Sequence, residues 1–202
     1  MSNTWITADY HLGEDRFQIM QRPFKTPKEM LEVLVEKHNE KVAKEDTVYV
    51  LGDVCYQKCP EQLENIELFN GKKILVRGNH DRVFTEEQLS KHFVQVVHEG
   101  GGIELEIEGI PLYLTHYPSF GSLTRFNLVG HIHSAWKFQL NMINVGVDVH
   151  HFSPLNLQEI PFYYKAITEF YDDDVWVAYQ HLNQSYAGIR GKKGSYMEGN
   201  HV

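Results

Sequence analysis

Short apolar, β-branched runs alternate with longer amphipathic stretches along most of this chain, and several runs end in residues that carry chemistry rather than in plain turns. Thr4-Trp5-Ile6-Thr7, Thr47-Val48-Tyr49-Val50-Leu51, Lys73-Ile74-Leu75-Val76-Arg77 and Leu128-Val129 read as strands of the buried type. Between them the period lengthens. Thr26-Pro27-Lys28-Glu29 has the form of a capping box with proline at the first helical position, and Met30, Leu34, Val35, His38 and Val42 then recur at helical spacing. Gln62 to Phe69 reads as a second helix closed by Asn70-Gly71, and Thr85-Glu86-Glu87-Gln88-Leu89 starts a third, short one. From Ile103 to Leu114 the pattern alternates about Glu108-Gly109, which predicts a hairpin. Strands alternating with helices imply an α/β layer architecture.

The residues at the ends of these runs form an ordered series: Asp9-Tyr10-His11, Gly52-Asp53, Gly78-Asn79-His80-Asp81, Leu114-Thr115-His116-Tyr117 and Gly130-His131-Ile132-His133. In α/β folds the strand ends collect such side chains along one sheet edge. Mixed carboxylate, imidazole and carboxamide donors suit first-row transition ions, whereas a calcium or magnesium site would be built of oxygen alone. The donors outnumber the needs of one tetrahedral ion, and a carboxylate can bridge two ions about 3.5–4 Å apart. Taken singly each motif is weak, Gly-Asp being ordinary turn chemistry. The conjunction, each member following an apolar run, carries the reading.

This series resembles the calcineurin-like metallophosphoesterase family, in particular its short single-domain members, between Thr4 and Val149. The family shares Asp-x-His, Gly-Asp, Gly-Asn-His-Asp/Glu, a lone His and Gly-His-x-His. The resemblance implies a four-layer sandwich of two mixed β-sheets flanked by helices. It also implies two divalent transition-metal ions, manganese first, with iron, zinc or nickel as alternatives. Asp9, His11 and His133 would hold one ion, Asn79, His116 and His131 the other, and Asp53 would bridge them. His80 would give a proton to the leaving oxygen, and Asp81 would orient its imidazole and raise its basicity. Two dications acidify a bound water and neutralise phosphate oxygens, and an imidazole with an unperturbed pKa near ~6.5 can protonate an alkoxide. The expected reaction is attack of a metal-bound hydroxide on a small, nucleotide-like phosphodiester. The alternatives are a phosphomonoesterase and a non-catalytic protein-binding scaffold, a use of this fold in which the catalytic histidine is missing.

Composition narrows the picture. The chain has 202 residues, 42% hydrophobic and 23% charged, as expected of one soluble domain. We place that domain at 1–170. An extension at 171–202 departs from the pattern with Tyr171-Asp172-Asp173-Asp174, Trp176 and Tyr179, and is expected to be flexible or to contact a partner. No apolar stretch reaches the ~18 residues of a membrane span, and no leader pattern opens the sequence, so the expectation is a cytoplasmic protein. A formal charge of −8 favours a small phosphoester over a long nucleic acid, whose backbone calls for a basic surface. The sequence leaves the oligomeric state open. Cys55 and Cys59 imply neither a disulfide nor a zinc knuckle. Asp148-Val149-His150-His151 repeats the Asp-x-His spacing but is expected to be structural, as are His38, His92, His98, His181 and His201 on the surface or in packing. Tyr10, Tyr56 and Tyr117 neighbour the motifs and are candidates for stacking on a base. Arg77, Arg82 and Arg125 are the nearest cations for a second phosphate.

Overall fold

The computed structural model describes residues 2–170, so the expected extension at 171–202, with its acidic and aromatic cluster and with His181 and His201, lies outside the described residues. The amino-terminal part runs β1 (Thr4–Thr7), α1 (Phe17–Met20), α2 (Pro27–Asn39), β2 (Thr47–Val50), β3 (Lys72–Val76), α3 (Glu86–Leu89) and β4 (Gln95–Val97). It continues with β5 (Gly102–Ile107), β6 (Ile110–Thr115), β7 (Phe126–Val129), β8 (Phe138–Gln139), β9 (Met142–Asn144), β10 (Leu155–Asn156) and α4 (Ile160–Phe170). These strands form two sheets, ordered β10-β1-β2-β3-β4 and β5-β6-β7-β9-β8. In the first, β1 to β4 are parallel and β10 is antiparallel; in the second, β6, β7 and β9 are parallel and both edge strands are antiparallel. The expected pair of mixed sheets with flanking helices is therefore the observed fold.

The near-continuous apolar runs have a direct physical cause. The first sheet is covered on both faces, so both sets of alternating side chains must be apolar. Trp5, Val48, Val50 and Leu75 enter one core with Met30 and Leu34 of α2. Ile6, Leu51 and Val76 point the other way, into a core shared with Leu112, Leu114, Leu128 and Ile143 of the second sheet and Ile160 and Ile167 of α4. Burying each such side chain contributes roughly 1.5–3 kcal/mol, which makes these two layers the main support of the loops above them.

Helix boundaries differ from expectation in instructive ways. Thr26 caps α2, its Oγ1 accepting from the Glu29 amide at 3.1 Å, but the Glu29 carboxylate accepts from the Lys25 amide instead of closing the box. The helix stops at Asn39, so Val42 is buried just beyond it rather than on its face. Thr85 and Gln88 do form a complete capping box at α3. The stretch expected as a helix from Gln62 to Phe69 is a run of 3₁₀ turns over Pro60–Leu68. Its buried residues, Leu63, Ile66 and Phe69, recur every third position, which matches three residues per turn and not 3.6. The hairpin forms as expected, with Glu108 (φ 50°) and Gly109 (φ 78°) in the left-handed conformation of a type I′ turn.

The carboxyl ends of β1, β2, β3, β6 and β7 lead directly into Asp9, Asp53, Asn79, His116 and His131. No helix among the described residues is long and apolar enough to cross a membrane.

Candidate metal centre

The loops leaving those five strands converge. Three groups form in which the candidate ligand atoms lie within 4.8 Å of one another: Asp9, His11 and His133; His11, Asp53 and His80; and Asp53, His116 and His131. Asp53 belongs to the second and third, and His11 links the second to the first. One Asp53 oxygen, Oδ2, sits 3.4 Å from His11 Nε2 and 3.5 Å from His116 Nε2, while Oδ1 accepts from the His80 backbone amide at 2.8 Å. The carboxylate thus faces both halves of the cluster at once. The Asp9 carboxylate is likewise pinned, accepting from the His131 amide at 2.9 Å through Oδ2.

Close packing of backbone makes this convergence possible. A Cβ at Gly78 would run into Asp53 Oδ1 and lie 2.7 Å from His116 Cε1, and one at Gly52, where φ is 82°, would lie 2.5 Å from His116 Nδ1. The two glycines are therefore the room in which Asp53 and His116 meet. Asp9, His11, Asp53, His131 and His133 all hold positive φ, between 50° and 75°. For a side chain larger than glycine this costs about 1–2 kcal/mol per residue. Such concentrated strain is a mark of a functional site.

The donors fit a metal on their own evidence. His11 Nδ1 and Nε2, His116 Nε2 and Asn79 Oδ1 are buried and lack a hydrogen-bond partner among the described residues. A buried polar atom without a partner is costly, and four in one place call for a cation. The outer atoms are fixed by partners. His116 Nδ1 lies 2.7 Å from the Leu51 carbonyl, so it carries the proton and leaves Nε2 free to coordinate. His133 Nδ1 lies 2.9 Å from Asp148 Oδ2, again leaving Nε2 for the site.

The electrostatics are those of acids and imidazoles crowded together in a buried place: burial would lower His116, but neighbouring carboxylates raise it to about 9. Burial pushes the Asp9 carboxyl upward. Burial would also raise Asp53, but the imidazoles of His11 and His116 hold it well below the usual carboxylate range. Burial pushes His11 down to about 4, which keeps its imidazole neutral and available as a ligand.

The ligands are supported by residues outside the five motifs, of which Arg22 escapes the sequence pattern altogether. Arg22, whose side chain is fully buried, donates Nε to Asp148 Oδ1 at 2.7 Å, Nη1 to the Tyr10 carbonyl at 2.8 Å and Nη2 to the Asp9 carbonyl at 2.5 Å. It joins the first ligand loop to the carboxylate that orients His133. The Asp-x-His repeat at Asp148 is a signal for that residue, although its partner is His133 rather than a metal. Nothing in the local pattern around Arg22 announces burial. Asn144 adds a third support, donating its amide to the His133 carbonyl at 2.7 Å.

The expected role of Asp81 needs correction. Its carboxylate is fully buried and accepts from the amides of Asp53, Val54 and Gly78 at 2.9, 3.0 and 2.9 Å, so it has no oxygen aimed at the His80 ring. Its effect is to hold the Asp53 and Gly78 loops together. His80 Nδ1 instead faces the Gln57 amide at 3.3 Å, which leaves its proton on Nε2, and burial moves the ring's pKa down, not up.

The candidate stacking and cationic residues are also reassigned. Tyr10 is core, its hydroxyl 2.8 Å from His38 Nδ1. Tyr117 donates its hydroxyl to Glu99. Arg77 is bound to the Asp81 and Phe84 carbonyls, Arg82 to Glu99, and Arg125 to Glu104. A cation linked to His80 through one ring is Arg16, whose guanidinium lies 4.5 Å over the ring of Tyr56, itself 5.8 Å from the His80 ring.

Comparison with known proteins supplies the wider context. A family model described as calcineurin-like phosphoesterase matches residues 2–196. An uncharacterized protein of Methanocaldococcus jannaschii is 27% identical over 173 residues, spanning 79% of this chain and 90% of that one. The gene 66 protein of Mycobacterium phage D29 is 30% identical over 182 residues, spanning 75% of this chain and 90% of that one. Among solved structures, a protein of unknown function from Aquifex aeolicus superposes with a TM-score of 0.63 at 22% identity, over 81% of this chain and 100% of that one, and so shares the fold.

Proposed function

The chain belongs to the calcineurin-like phosphoesterase family, and from that premise we propose that it is a dinuclear, metal-dependent phosphodiesterase acting on a small, nucleotide-like substrate. The observation that supports the two-ion reading is Asp53, whose carboxylate stands between His11 and His116 at 3.4 and 3.5 Å and is shared by two candidate ligand groups. One ion would take Asp9, His11 and His133, the other Asn79, His116 and His131, with Asp53 common to both. When bound, such ions supply an acidified water and neutralise charge on the phosphate oxygens; by resemblance to the family we take manganese first, with iron, zinc or nickel as alternatives.

The chain's own residues do the rest. His80 stands at the rim of the cluster, its ring 4.5 Å from that of His11, with Nδ1 occupied by the Gln57 amide and a proton on Nε2. His80 would act as an imidazolium, giving its Nε2 proton to the leaving oxygen, which requires Nδ1 to take up a proton and release the Gln57 amide. Asp81 contributes by fixing the backbone that presents Asp53. The Arg22–Asp148 pair keeps the His133 imidazole in one orientation.

The test is hydrolysis of bis-p-nitrophenyl phosphate beside p-nitrophenyl phosphate by chelator-stripped protein refilled with Mn²⁺, Ni²⁺, Zn²⁺ or Mg²⁺, with His80→Ala as control. Turnover of the diester above the monoester, dependent on metal and on His80, is the expected result. Preference for the monoester would make it a phosphomonoesterase. Metal binding without turnover of either would point to a scaffold.

A further inference from the structure

We propose that Arg16 recognises a second phosphate carried by the leaving group, so that the substrate is a phosphodiester whose leaving alcohol is itself phosphorylated. This rests on the phosphodiesterase reading above and on the role it gives His80. The supporting feature is an unusual use of a buried acid. Glu14 is 0% exposed, yet both its oxygens are committed to Arg16: Nε to Oε1 at 2.9 Å and Nη2 to Oε2 at 2.7 Å. The backbone amides of Asp15 and Arg16 complete the shell of Oε1 at 3.1 and 2.8 Å. Burying a carboxylate is expensive, and here it fixes a side chain that remains 46% exposed.

The result is a guanidinium held from two directions. Glu14 grips one edge, and the Tyr56 ring supports the plane at 4.5 Å. Nη1 makes no hydrogen bond among the described residues. A rigid guanidinium with a free edge suits a phosphate better than it suits solvent. Tyr56 also packs 5.8 Å from the His80 ring, so one aromatic ring joins the guanidinium to the residue that serves the leaving oxygen.

Arg16 also lines a cleft of about 450 Å³, together with Asp15, Ile19, Phe24 and Lys25. Lys25 adds a second cation and Asp15 an opposing acid. Ile19, 74% exposed, offers an apolar surface beside them. Cations beside apolar surface match a phosphorylated nucleoside, with phosphate on the guanidinium and base against Ile19 and Phe24.

The experiment compares Mn²⁺-loaded full-length protein on the thymidine dinucleotides TpT, pTpT and TpTp, with bis-p-nitrophenyl phosphate as reference. One of the two phosphorylated dinucleotides places its extra phosphate on the leaving side. For that compound the wild type should show a KM about tenfold below that for TpT, the size expected of one charge-assisted contact. Arg16→Met should erase the difference, Arg16→Lys should keep part of it, and Glu14→Gln, which leaves the guanidinium in place but loosens it, should fall between. Thermal melting of each variant separates this from misfolding. Equal KM for all three dinucleotides in the wild type, or a preference that survives in folded Arg16→Met, would overturn the assignment. Absence of turnover of the reference diester by the wild type would instead sink the phosphodiesterase reading itself.

Discussion

The two halves of the metal cluster are built to different standards. On the Asp9, His11 and His133 side, Asp9 and His11 are 0% and 2% exposed, and the surrounding groups are held from behind. Arg22 takes the carbonyls of Asp9 and Tyr10, Asp148 takes His133 Nδ1, and Asn144 takes the His133 carbonyl. On the Asn79, His116 and His131 side the support is sparser: the Leu51 carbonyl takes His116 Nδ1, and the Asp9 carboxylate takes the His131 backbone amide. His131 is exposed, its ring positioned by edge contacts with His116 and Tyr117 at 5.0 and 4.8 Å. Ligands oriented by such outer partners bind metal more tightly, typically by 10–100-fold. The comparison teaches that one half is fixed before any ion arrives, whereas the other has an edge open to solvent. If two ions bind, the one on the His131 side should leave first under a chelator.

Asp53→Asn attacks the comparison at its root, because that carboxylate is the group common to both halves. Both ions should be weakened together and diester turnover should fall at least ~10³-fold. Full retention of one ion by metal analysis would remove Asp53 from its bridging position. His80→Ala is expected to cost ~10²–10⁴-fold on alkyl esters and clearly less on activated aryl esters, with both ions still present. Equal losses on the two ester types would remove His80 from the proton-donor role.

Asp148→Asn and Arg22→Met sharpen the contrast between the halves. Each should lower the affinity of one ion by roughly 10–100-fold while the other titrates nearly as in the wild type, read by metal titration calorimetry. Equal weakening of both ions would show that the outer shell does not favour either half. The smallest effect concerns pH. His38 accepts the Tyr10 hydroxyl at Nδ1 and donates Nε2 to the Asn70 carbonyl at 2.9 Å, so the wall behind the first ligand loop contains a neutral imidazole. Burial pushes its pKa down to about 4. Since the unfolded chain binds this proton first, near ~6.5, stability is full above that pH and falls as pH drops toward the folded value, by up to about 3 kcal/mol. Denaturant melts at pH 7 and pH 5 should show the fall, and His38→Gln should reduce it. An unchanged slope in the variant would assign the acid sensitivity elsewhere.

Much of this architecture is legible in the chain because local and global demands coincide. The strands carrying Asp9, Asp53 and Asn79 are apolar on both faces since both faces are covered, and the motifs stand where those runs stop. Pro60–Leu68 was harder, because apolar residues every third position fit a helix nearly as well as the 3₁₀ turns that form. Asp81 misleads for another reason. Adjacency in sequence suggests a partner for the His80 ring, whereas the loop turns its carboxylate inward to three amides. Arg22 and Arg16 depend on contacts with Asp148 and with Glu14 and Tyr56, and such pairings are set by tertiary structure that periodicity does not encode.

The left-handed backbone at Asp9, His11, Asp53, His131 and His133 also bears on how such a protein ages under mutation. Glycine adopts that conformation without penalty, so a lineage released from its chemistry would find ready gains in folding stability at the ligand positions, above all at exposed His131. Selection for heat resistance alone would therefore drain the site while leaving the sandwich intact.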